Sequence, residues 1–246
     1  MEIAIEIKNV SKTFTGREGG RLSAVKDIDL TIHKGEFVVL LGPSGSGKST
    51  LLRIICGLEK VSQGHVDFAQ GLSTADIAFV FQQFALLPWL SVAENIGLGL
   101  MAKGTPEKER TEIVKKLLDR FGLEKFARTH VRELSGGMKQ RVGIARALAV
   151  NPKILLLDEP FSELDSFTAE ELRKDILQVW QERQLTVLMV SHMIPEALEL
   201  ADRIAVFTSR PGHIEKILTN PLSRPRPKRS QEFFALEDEL AHLIRP

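Results

Sequence analysis

The sequence predicts an α/β fold in which buried parallel strands alternate with helices. The first observation behind this prediction is a set of four continuous apolar runs, FVVLL, ILLL, LTVLMV and IAVF. Uninterrupted apolar runs of this length are typical of strands that are covered on both faces. The second observation is that stretches with helical spacing separate these runs along the chain, which is the pattern of a layered α/β core.

The start of the chain predicts a separate antiparallel β layer. Ile3, Ile5 and Ile7 alternate with polar residues, and the stretch from Ile28 to Ile32 repeats the alternation before the turn HKGE. An alternation with a period of two residues indicates strands with one buried face. We therefore expect an N-terminal antiparallel β subdomain.

Residues 83–134 have helical patterns that interrupt the α/β core. Ser91 is followed three residues later by Glu94, which forms a capping box, and Gly122 is a helix stop signal. We predict one domain over residues 1–208, with an inserted α-helical subdomain at about 83–134, and a linker with an amphipathic helix over 209–246. One face of that last helix carries Phe233, Leu236, Leu240, Leu243 and Ile244.

Composition narrows the functional classes. The 33 Lys and Arg residues balance 32 Asp and Glu residues, so the net charge of +1 gives no reason to expect a nucleic-acid partner. Cys56 is the only cysteine, which excludes an intrachain disulfide and fits a reducing compartment. No apolar run reaches the roughly 18 residues of a spanning helix. We expect a cytoplasmic protein that reaches a membrane only through a partner.

A glycine-rich loop follows the FVVLL run and opens the helical stretch LLRIICGL. It consists of Gly42, Pro43, Ser44, Gly45, Ser46, Gly47, Lys48, Ser49 and Thr50. This is the complete G-x-x-x-x-G-K-[ST] pattern of a phosphate-binding loop, in its required context after a strand and before a helix. Glycines let the backbone approach an anion closely, and the amides at the helix start point at its oxygens. We expect Lys48 to reach the outer phosphates of a nucleotide and Ser49 to bind Mg²⁺.

Two adjacent carboxylates end another apolar run, in ILLLDEP. Asp158 is placed to hold Mg²⁺, directly or through water, and Glu159 to orient and activate an attacking water. Adjacent carboxylates at this position are also typical of a polar strand end or a helix cap. Beside a complete phosphate loop, nucleotide hydrolysis is the better hypothesis, and the core is predicted to be a P-loop NTPase of the RecA-like type.

Six motifs in a fixed order show which family the chain resembles. The phosphate loop is followed by FVFQQ, LSGGMKQR, ILLLDEP, SELD and SHM. Together they resemble the nucleotide-binding subunit of an ATP-binding cassette (ABC) transporter, over about residues 1–210. Each later motif is weak alone, and the ordered set is very specific.

The resemblance explains LSGG, a stretch that contains no carboxylate, histidine or metal ligand. In this family two ATPase domains pair head to tail, and the signature loop of one covers the ATP held by the other. Ser135, Gly136 and Gly137 are thereby implied to contact nucleotide in trans. The physical chemistry agrees, because small residues at a helix start let the backbone approach an anion. A serine before glycines is also typical of an ordinary helix cap.

The remaining positions carry over from the family one at a time. Gln82 matches the glutamine that reaches Mg²⁺ and the attacking water. His192 matches the histidine that contacts the γ-phosphate and Glu159. Phe14 resembles the aromatic residue that stacks on adenine, although a phenylalanine there is also compatible with ordinary packing.

The SELD segment at residues 162–165 matches the family's D-loop, and it departs from the family pattern. Asp165 matches its aspartate and is implied to lie at the nucleotide. The usual SALD is SELD here, so Glu163 places a carboxylate where the family has a methyl group near the dimer interface.

The segment Gln82–Leu90 is the predicted contact with a membrane partner. FALLPWL lies where transporter subunits of the family form a groove for the permease, and packing within the helical subdomain is the other explanation. LLPW, LSGGMKQR and the tail SRPGHIEKILTNPLSRPRPKR resemble ATPases that import nitrate, sulfonate, taurine or bicarbonate. The resemblance implies ATP and Mg²⁺, a second ATPase subunit and, indirectly, a periplasmic or extracellular solute-binding protein. It also implies a peripheral position on the cytoplasmic face of the bacterial inner membrane.

Two alternatives stay open at this point. A soluble ABC ATPase that acts with a cytosolic scaffold in iron-sulfur assembly also fits the chain length. The RPRPKR segment is compatible with contact to anionic lipid or to the permease, and equally with a plain linker. A GTPase is disfavoured because the base-reading motif N-K-x-D does not occur.

Overall fold

The computed structural model describes residues 2–16, 20–226, 228 and 230–244. The chain forms two compact units, the first from Met1–Asp76 together with Gln184–Pro246, and the second from Ile77–Arg183. Within the described residues, no helix combines the length and the apolar character that crossing a membrane requires.

The first unit contains a three-stranded antiparallel sheet. Its strands are β1 (Ile3–Thr15), β2 (Arg21–His33) and β4 (Gln63–Phe68), in the order β2-β1-β4. Ile5 and Ile7 are buried, which confirms the antiparallel layer expected from the alternation. The third strand was not predicted, because no residue of QGHVDF is fully buried and only Val66 and Phe68 carry an apolar alternation.

A second sheet contributes strands to the same unit, and they hold three of the four buried apolar runs. In spatial order, these strands are β7 (Thr186–Ser191), β3 (Phe37–Leu41), β8 (Arg203–Phe207) and β9 (Ile214–Thr219). β3 pairs in parallel with both of its neighbours, and β9 is antiparallel at the edge. Every residue of β3 and β7 is buried, as the uninterrupted runs required. The parallel pairing confirms the predicted α/β class.

Three helices complete the first unit: α1 (Lys48–Ile55), α6 (Ile194–Leu200) and α7 (Gln231–Ile244). The last of them buries Phe233 and Leu240, two residues of the predicted apolar face. It packs on α6, the helix that follows β7.

The arginine-rich segment before α7 is bound to the end of α6. The Arg224 guanidinium donates to Asp202, and Arg226 donates to the carbonyls of Leu198 at 3.0 Å and Glu199 at 3.1 Å. Burial, with the neighbouring Arg224 charge, lowers the pKa of Arg226 to about 10. Cations at a helix C-terminus satisfy its last carbonyls. These two arginines therefore contact the end of α6 within the chain; positions 227 and 229 lie outside the described residues.

The second unit pairs two parallel strands, β5 (Ile77–Val80) and β6 (Ile154–Asp158). Its helices are α2 (Val92–Ala102), α3 (Glu107–Arg120), α4 (Gly136–Ala149) and α5 (Ser166–Arg183). The predicted capping box opens α2, because the Ser91 hydroxyl accepts from the Glu94 amide and the Glu94 carboxylate accepts from the Ser91 amide. Gly122, just after α3, has a φ of +65°, which confirms it as a helix stop.

Candidate functional site

The phosphate loop connects β3 to α1, as its sequence context required. Gly45 and Gly47 have φ values of +77° and +88°, which glycine adopts readily and other residues rarely do. A Cβ on Gly47 would lie 2.5 Å from the Ala24 carbonyl oxygen, and one on Gly42 would lie 2.6 Å from that of Phe207. The loop therefore fits tightly against β2 and the end of β8, and larger residues at these glycines would displace it.

Lys48 supplies a buried positive charge inside this loop. Its side chain is 3% exposed, and its ammonium donates to the carbonyls of Gly42 at 2.8 Å and Pro43 at 2.7 Å and to the Ser46 hydroxyl at 3.1 Å. These are neutral acceptors, and an anion would be a stronger partner for the same ammonium. With the amides at the start of α1, the loop forms a cradle whose donors and charge fit a phosphate group.

His192 lies at the same edge of the sheet as this cradle. Leu41 at the end of β3 pairs with Ser191 at the end of β7, so Gly42 and His192 are the next residues along parallel neighbours. The Ser191 hydroxyl donates to Glu196 at 2.7 Å and accepts from the Met193 amide at 3.0 Å, which fixes the turn that exposes His192. The first unit thus brings two predicted site elements together.

Phe14 lies near the end of β1 and is 37% exposed. Lys12, two residues earlier, pairs with Val25, whose Cγ1 would lie 2.6 Å from a Cβ on Gly47. The Lys12 ammonium lies 4.8 Å from the centre of the Phe14 ring. An exposed ring a short distance along the strand from the phosphate loop is compatible with base stacking, and that role stays a prediction.

The second unit places Gln82 and the two carboxylates at one sheet edge. Val80 of β5 pairs with Leu157 of β6, so Gln82 follows one strand where Asp158 ends its parallel neighbour and Glu159 follows it. Asp158 is 2% exposed. Glu159 has a φ of +46°, an uncommon value for a residue with a side chain. Such a conformation turns the chain sharply after the strand, and it occurs often at functional sites.

The signature loop forms the start of α4. The Ser135 hydroxyl is the N-cap and accepts from the Met138 amide at 3.4 Å, so the helix cap expected from serine before glycines is present. Ser135 is exposed, and Gly136 and Gly137 open the helix. The loop presents a hydroxyl and helix-start amides without a charge of its own, which are donors suited to an anion.

Asp165 has a structural role that ties the D-loop to the signature loop. Its carboxylate accepts from the amides of Phe167 and Thr168 and, at 2.6 Å, from the Thr168 hydroxyl. The hydrogen bond from the Thr168 hydroxyl is the main reason why the pKa of Asp165 is lowered. The Thr168 methyl lies 2.6 Å from the position of a Cβ on Gly137. The carboxylate thus caps α5 and holds the threonine that packs against the signature glycine.

Known proteins resemble the chain over its whole length. The ABC transporter family matches residues 25–162. The chain belongs to the ABC transporter family. A nitrate import ATP-binding protein of Synechocystis sp. is 43% identical over 253 residues, covering 98% of this chain and 95% of that protein. An aliphatic sulfonates import ATP-binding protein of Bacillus thuringiensis is 39% identical, with 97% and 94% covered.

Solved structures agree on the fold of this ABC protein. One is a dimeric ATP-binding cassette in a post-hydrolysis state, bound to ADP and Pi. It is 38% identical, with a TM-score of 0.78 over 87% of this chain and 98% of that one. The comparison confirms the predicted P-loop NTPase fold, and this ABC protein is an ATPase that binds ATP.

Mg²⁺ binding by this ABC ATPase rests on the chemistry of the predicted donors. Within the described ranges, no group of three or more His, Cys, Asp and Glu side chains could hold a metal ion. The predicted ligands are of another kind, a hydroxyl, an amide and one carboxylate from Ser49, Gln82 and Asp158. Mg²⁺ at nucleotide sites takes few protein oxygens and completes its shell with phosphate oxygens and water. These types of donor suit Mg²⁺, and its binding stays a prediction.

Sequence reasoning missed a clamp on the segment after Gln82. Arg146 of α4 donates to the carbonyls of Ala85 at 2.7 Å and Phe84 at 3.0 Å. Both of these residues have positive φ values, 47° and 56°, and the arginine holds them in this turn. Burial lowers the pKa of Arg146 below its usual range. The arginine in IARAL is the only sequence feature that points to this clamp, and the sequence pattern does not predict which residues it binds.

Proposed function

We propose that the chain is the ATPase subunit of an importer that takes up a small oxyanion such as nitrate, a sulfonate, taurine or bicarbonate. The phosphate cradle around Lys48 is the observation that carries the hydrolytic part of the proposal. Import is supported by the relatives, whose names describe nitrate and aliphatic sulfonate import. Residues 1–208 form the ATPase domain in this proposal, with the helical subdomain at about 83–134.

Each proposed catalytic residue has a chemical task. Glu159 accepts a proton from the water whose oxygen attacks the γ-phosphorus, while the bond from that phosphorus to the ADP oxygen breaks. His192 donates a hydrogen bond to a γ-phosphate oxygen, and Gln82 orients the water. Lys48 holds the β- and γ-phosphates in line. Ser49 and Asp158 would be among the ligands of Mg²⁺, which would neutralise charge on the phosphates when bound.

Two copies form the active assembly in this proposal. The cradle of one copy holds ATP, and Ser135, Gly136 and Gly137 of the other donate to its γ-phosphate. The dimeric cassette with ADP and Pi supports a dimer as the working form. Asp165 contributes by holding Thr168 against Gly137, so that the signature loop keeps its shape.

The permease contact is proposed at Gln82–Leu90 and the adjoining surface of α2 and α3. Trp89 is 68% exposed and Met101 is 58% exposed, and a cavity of about 540 Å³ between the two helices is lined by Leu90, Met101 and Val114. Exposed apolar residues beside an apolar cavity are suited to an inserted helix of another protein. A solute-binding protein joins the assembly through the permease, and the chain sits on the cytoplasmic face of the membrane.

Purification of the tagged chain from its native membranes tests this function. The proposal predicts that a polytopic permease accompanies the protein and that Trp89→Lys with Met101→Lys releases it. Leu58→Lys, at a residue 60% exposed in the other unit, is the matched control and retains the permease. Recovery of a soluble scaffold without a membrane protein would favour the iron-sulfur assembly alternative, which no relative described above supports.

A further inference from the structure

The turn between β8 and β9 packs against the phosphate loop. A Cβ on Gly212 would lie 1.8 Å from the Ser46 carbonyl oxygen, so only glycine fits there. The Gly212 amide donates to the Ala24 carbonyl at 3.0 Å, and the Gly212 carbonyl accepts from the Lys26 amide at 2.9 Å. The turn is thereby fixed to β2, which also contacts Gly47. The phosphate loop lies against both of these segments.

Arg210 in this turn binds the main chain of the phosphate loop. Its Nε donates to the Gly45 carbonyl at 3.0 Å, and its Nη2 lies 3.3 Å from the position of a Cβ on Gly45. The guanidinium therefore lies over the backbone of Gly45, and its terminal nitrogens have no acceptor among the described residues. Arg210 is exposed, so this charge is not required to fill the core.

The hydrogen bond orients one peptide unit of the cradle. In a trans peptide the C=O of Gly45 and the N–H of Ser46 point in opposite directions. A charged donor on the carbonyl holds the plane and polarises the N–H on the other side. The acceptor of that N–H within the chain is the Pro43 carbonyl at 3.4 Å, a long bond that a phosphate oxygen can replace.

We propose that Arg210 is a positioning residue for nucleotide phosphate, acting through the Gly45–Ser46 peptide and not through contact with the reacting atoms. The inference rests on the proposed role of the phosphate loop and adds a residue from far along the chain. The turn does not need Arg210 to close. Thr208 donates its amide to the His213 carbonyl at 3.1 Å, and the Thr208 hydroxyl accepts from the His213 amide at 3.2 Å.

Nucleotide titration of the full chain tests the inference. The dissociation constants of MgATP and MgADP are measured by calorimetry for the parent, Arg210→Ala and Arg210→Lys, with ATPase rates at varied ATP. Arg210→Ala is expected to weaken both nucleotides about tenfold and raise KM by the same factor, with kcat within twofold. Arg210→Lys, which keeps a charged donor, is expected to recover part of the affinity. Arg128→Ala, at an exposed arginine of the other unit, is the charge-matched control and leaves both values unchanged.

The outcomes separate this inference from the proposed function. A parent chain that binds neither nucleotide would overturn the proposed function itself. A parent that binds both, with Arg210→Ala equal to Arg128→Ala, would overturn only the positioning role. A fall in kcat at unchanged KM would contradict it as well. If Arg210→Ala melts at a lower temperature than the parent, Arg210→Lys decides: an affinity above that of Arg210→Ala supports the proposal, and an affinity no higher than that of Arg210→Ala overturns it.

Discussion

The phosphate loop and the signature loop are both glycine-containing turns at the start of a helix. They differ in whether each forms a complete anion site by itself. The phosphate loop buries Ser46 at 0% and Lys48 at 3% exposure, and so it carries its own buried cation. The signature loop begins with exposed Ser135, and its hydroxyl caps the helix. The first is a whole anion site, whereas the second offers donors without a charge of its own. The difference teaches that the first can hold nucleotide by itself and that the second needs a ligand already held elsewhere.

Lys48→Ala should produce the largest effect and separate the two loops most clearly. Removing the buried ammonium leaves the carbonyls of Gly42 and Pro43 and any bound phosphate without their cation. We expect ATP affinity of the isolated chain to fall by about 10³-fold, as for a close charge pair that loses one partner. Calorimetric titration measures it. Binding within tenfold of the parent would show that the loop is not the nucleotide site.

Glu159→Gln should stop turnover and leave both loops intact. The amide keeps the shape of the side chain at this positive φ position but cannot accept a proton from water. We expect kcat to fall by about 10²- to 10³-fold with ATP affinity unchanged. Phosphate release and calorimetry measure the two quantities. Near-normal hydrolysis would remove Glu159 from the proposed base role.

Ser135→Arg should prevent the ATP-driven association of two copies and leave ATP binding by each copy unchanged. The long side chain occupies the surface that the second copy presents to ATP, and the phosphate loop of the same chain is untouched. In the Glu159→Gln background we expect ATP to drive dimer formation, and the added substitution to abolish it at unchanged monomer affinity. Light scattering with and without ATP gives the mass. An equal loss of nucleotide binding by the monomer would contradict the action in trans.

Two substitutions at Thr168 test which part of its side chain supports the signature loop. Thr168→Val removes the hydroxyl bound to Asp165 but keeps the methyl group that packs against Gly137. Thr168→Ser does the reverse. We expect Thr168→Val to lower the free energy of unfolding. Both should weaken ATP-driven association with monomer affinity unchanged, and denaturant unfolding with light scattering compares them. If both variants associate as the parent does, the contact between the D-loop and the signature loop is not required for association.

Phe14→Ala should weaken nucleotide binding far less than Lys48→Ala does. An aromatic contact of an exposed ring contributes about 0.5–1.5 kcal/mol, so ATP affinity should fall by about 3- to 10-fold. Phe14→Trp keeps a ring and serves as the matched control. Affinity for inorganic triphosphate should be the same in all three proteins. Equal loss for triphosphate and ATP would mean that Phe14 acts through packing and not through adenine.

The sequence predicted those parts of the structure whose signals are local. FVVLL, the phosphate loop and α1 are contiguous, and the capping box at Ser91 spans four residues, so neighbouring letters define them. β4 and β9 were missed because they are mostly exposed and have no sustained apolar alternation, and only their pairing partners define them as strands. The family resemblance supplied the site roles, and these stay predictions that the substitutions above test.

Contacts between distant segments lay beyond the sequence patterns. Arg210 binds Gly45 across 165 residues, and Arg146 binds Ala85 across 61. The arginine in SRPGH has no periodicity or motif spacing relative to the phosphate loop, and its partner is a backbone carbonyl, which every residue has. Tertiary folding alone brings such pairs together.

The most direct test of the central claim mixes two inactive copies. One carries Lys48→Ala, which keeps its signature loop, and the other carries Ser135→Arg, which keeps its phosphate loop, both in the Glu159→Gln background. Neither copy alone should dimerise with ATP, because a homodimer of either copy contains no complete site. If the two loops act in trans, the mixture contains one complete site per mixed pair, and light scattering should detect dimers when ATP is added. A mixture that stays monomeric under conditions where Glu159→Gln alone dimerises would contradict the account.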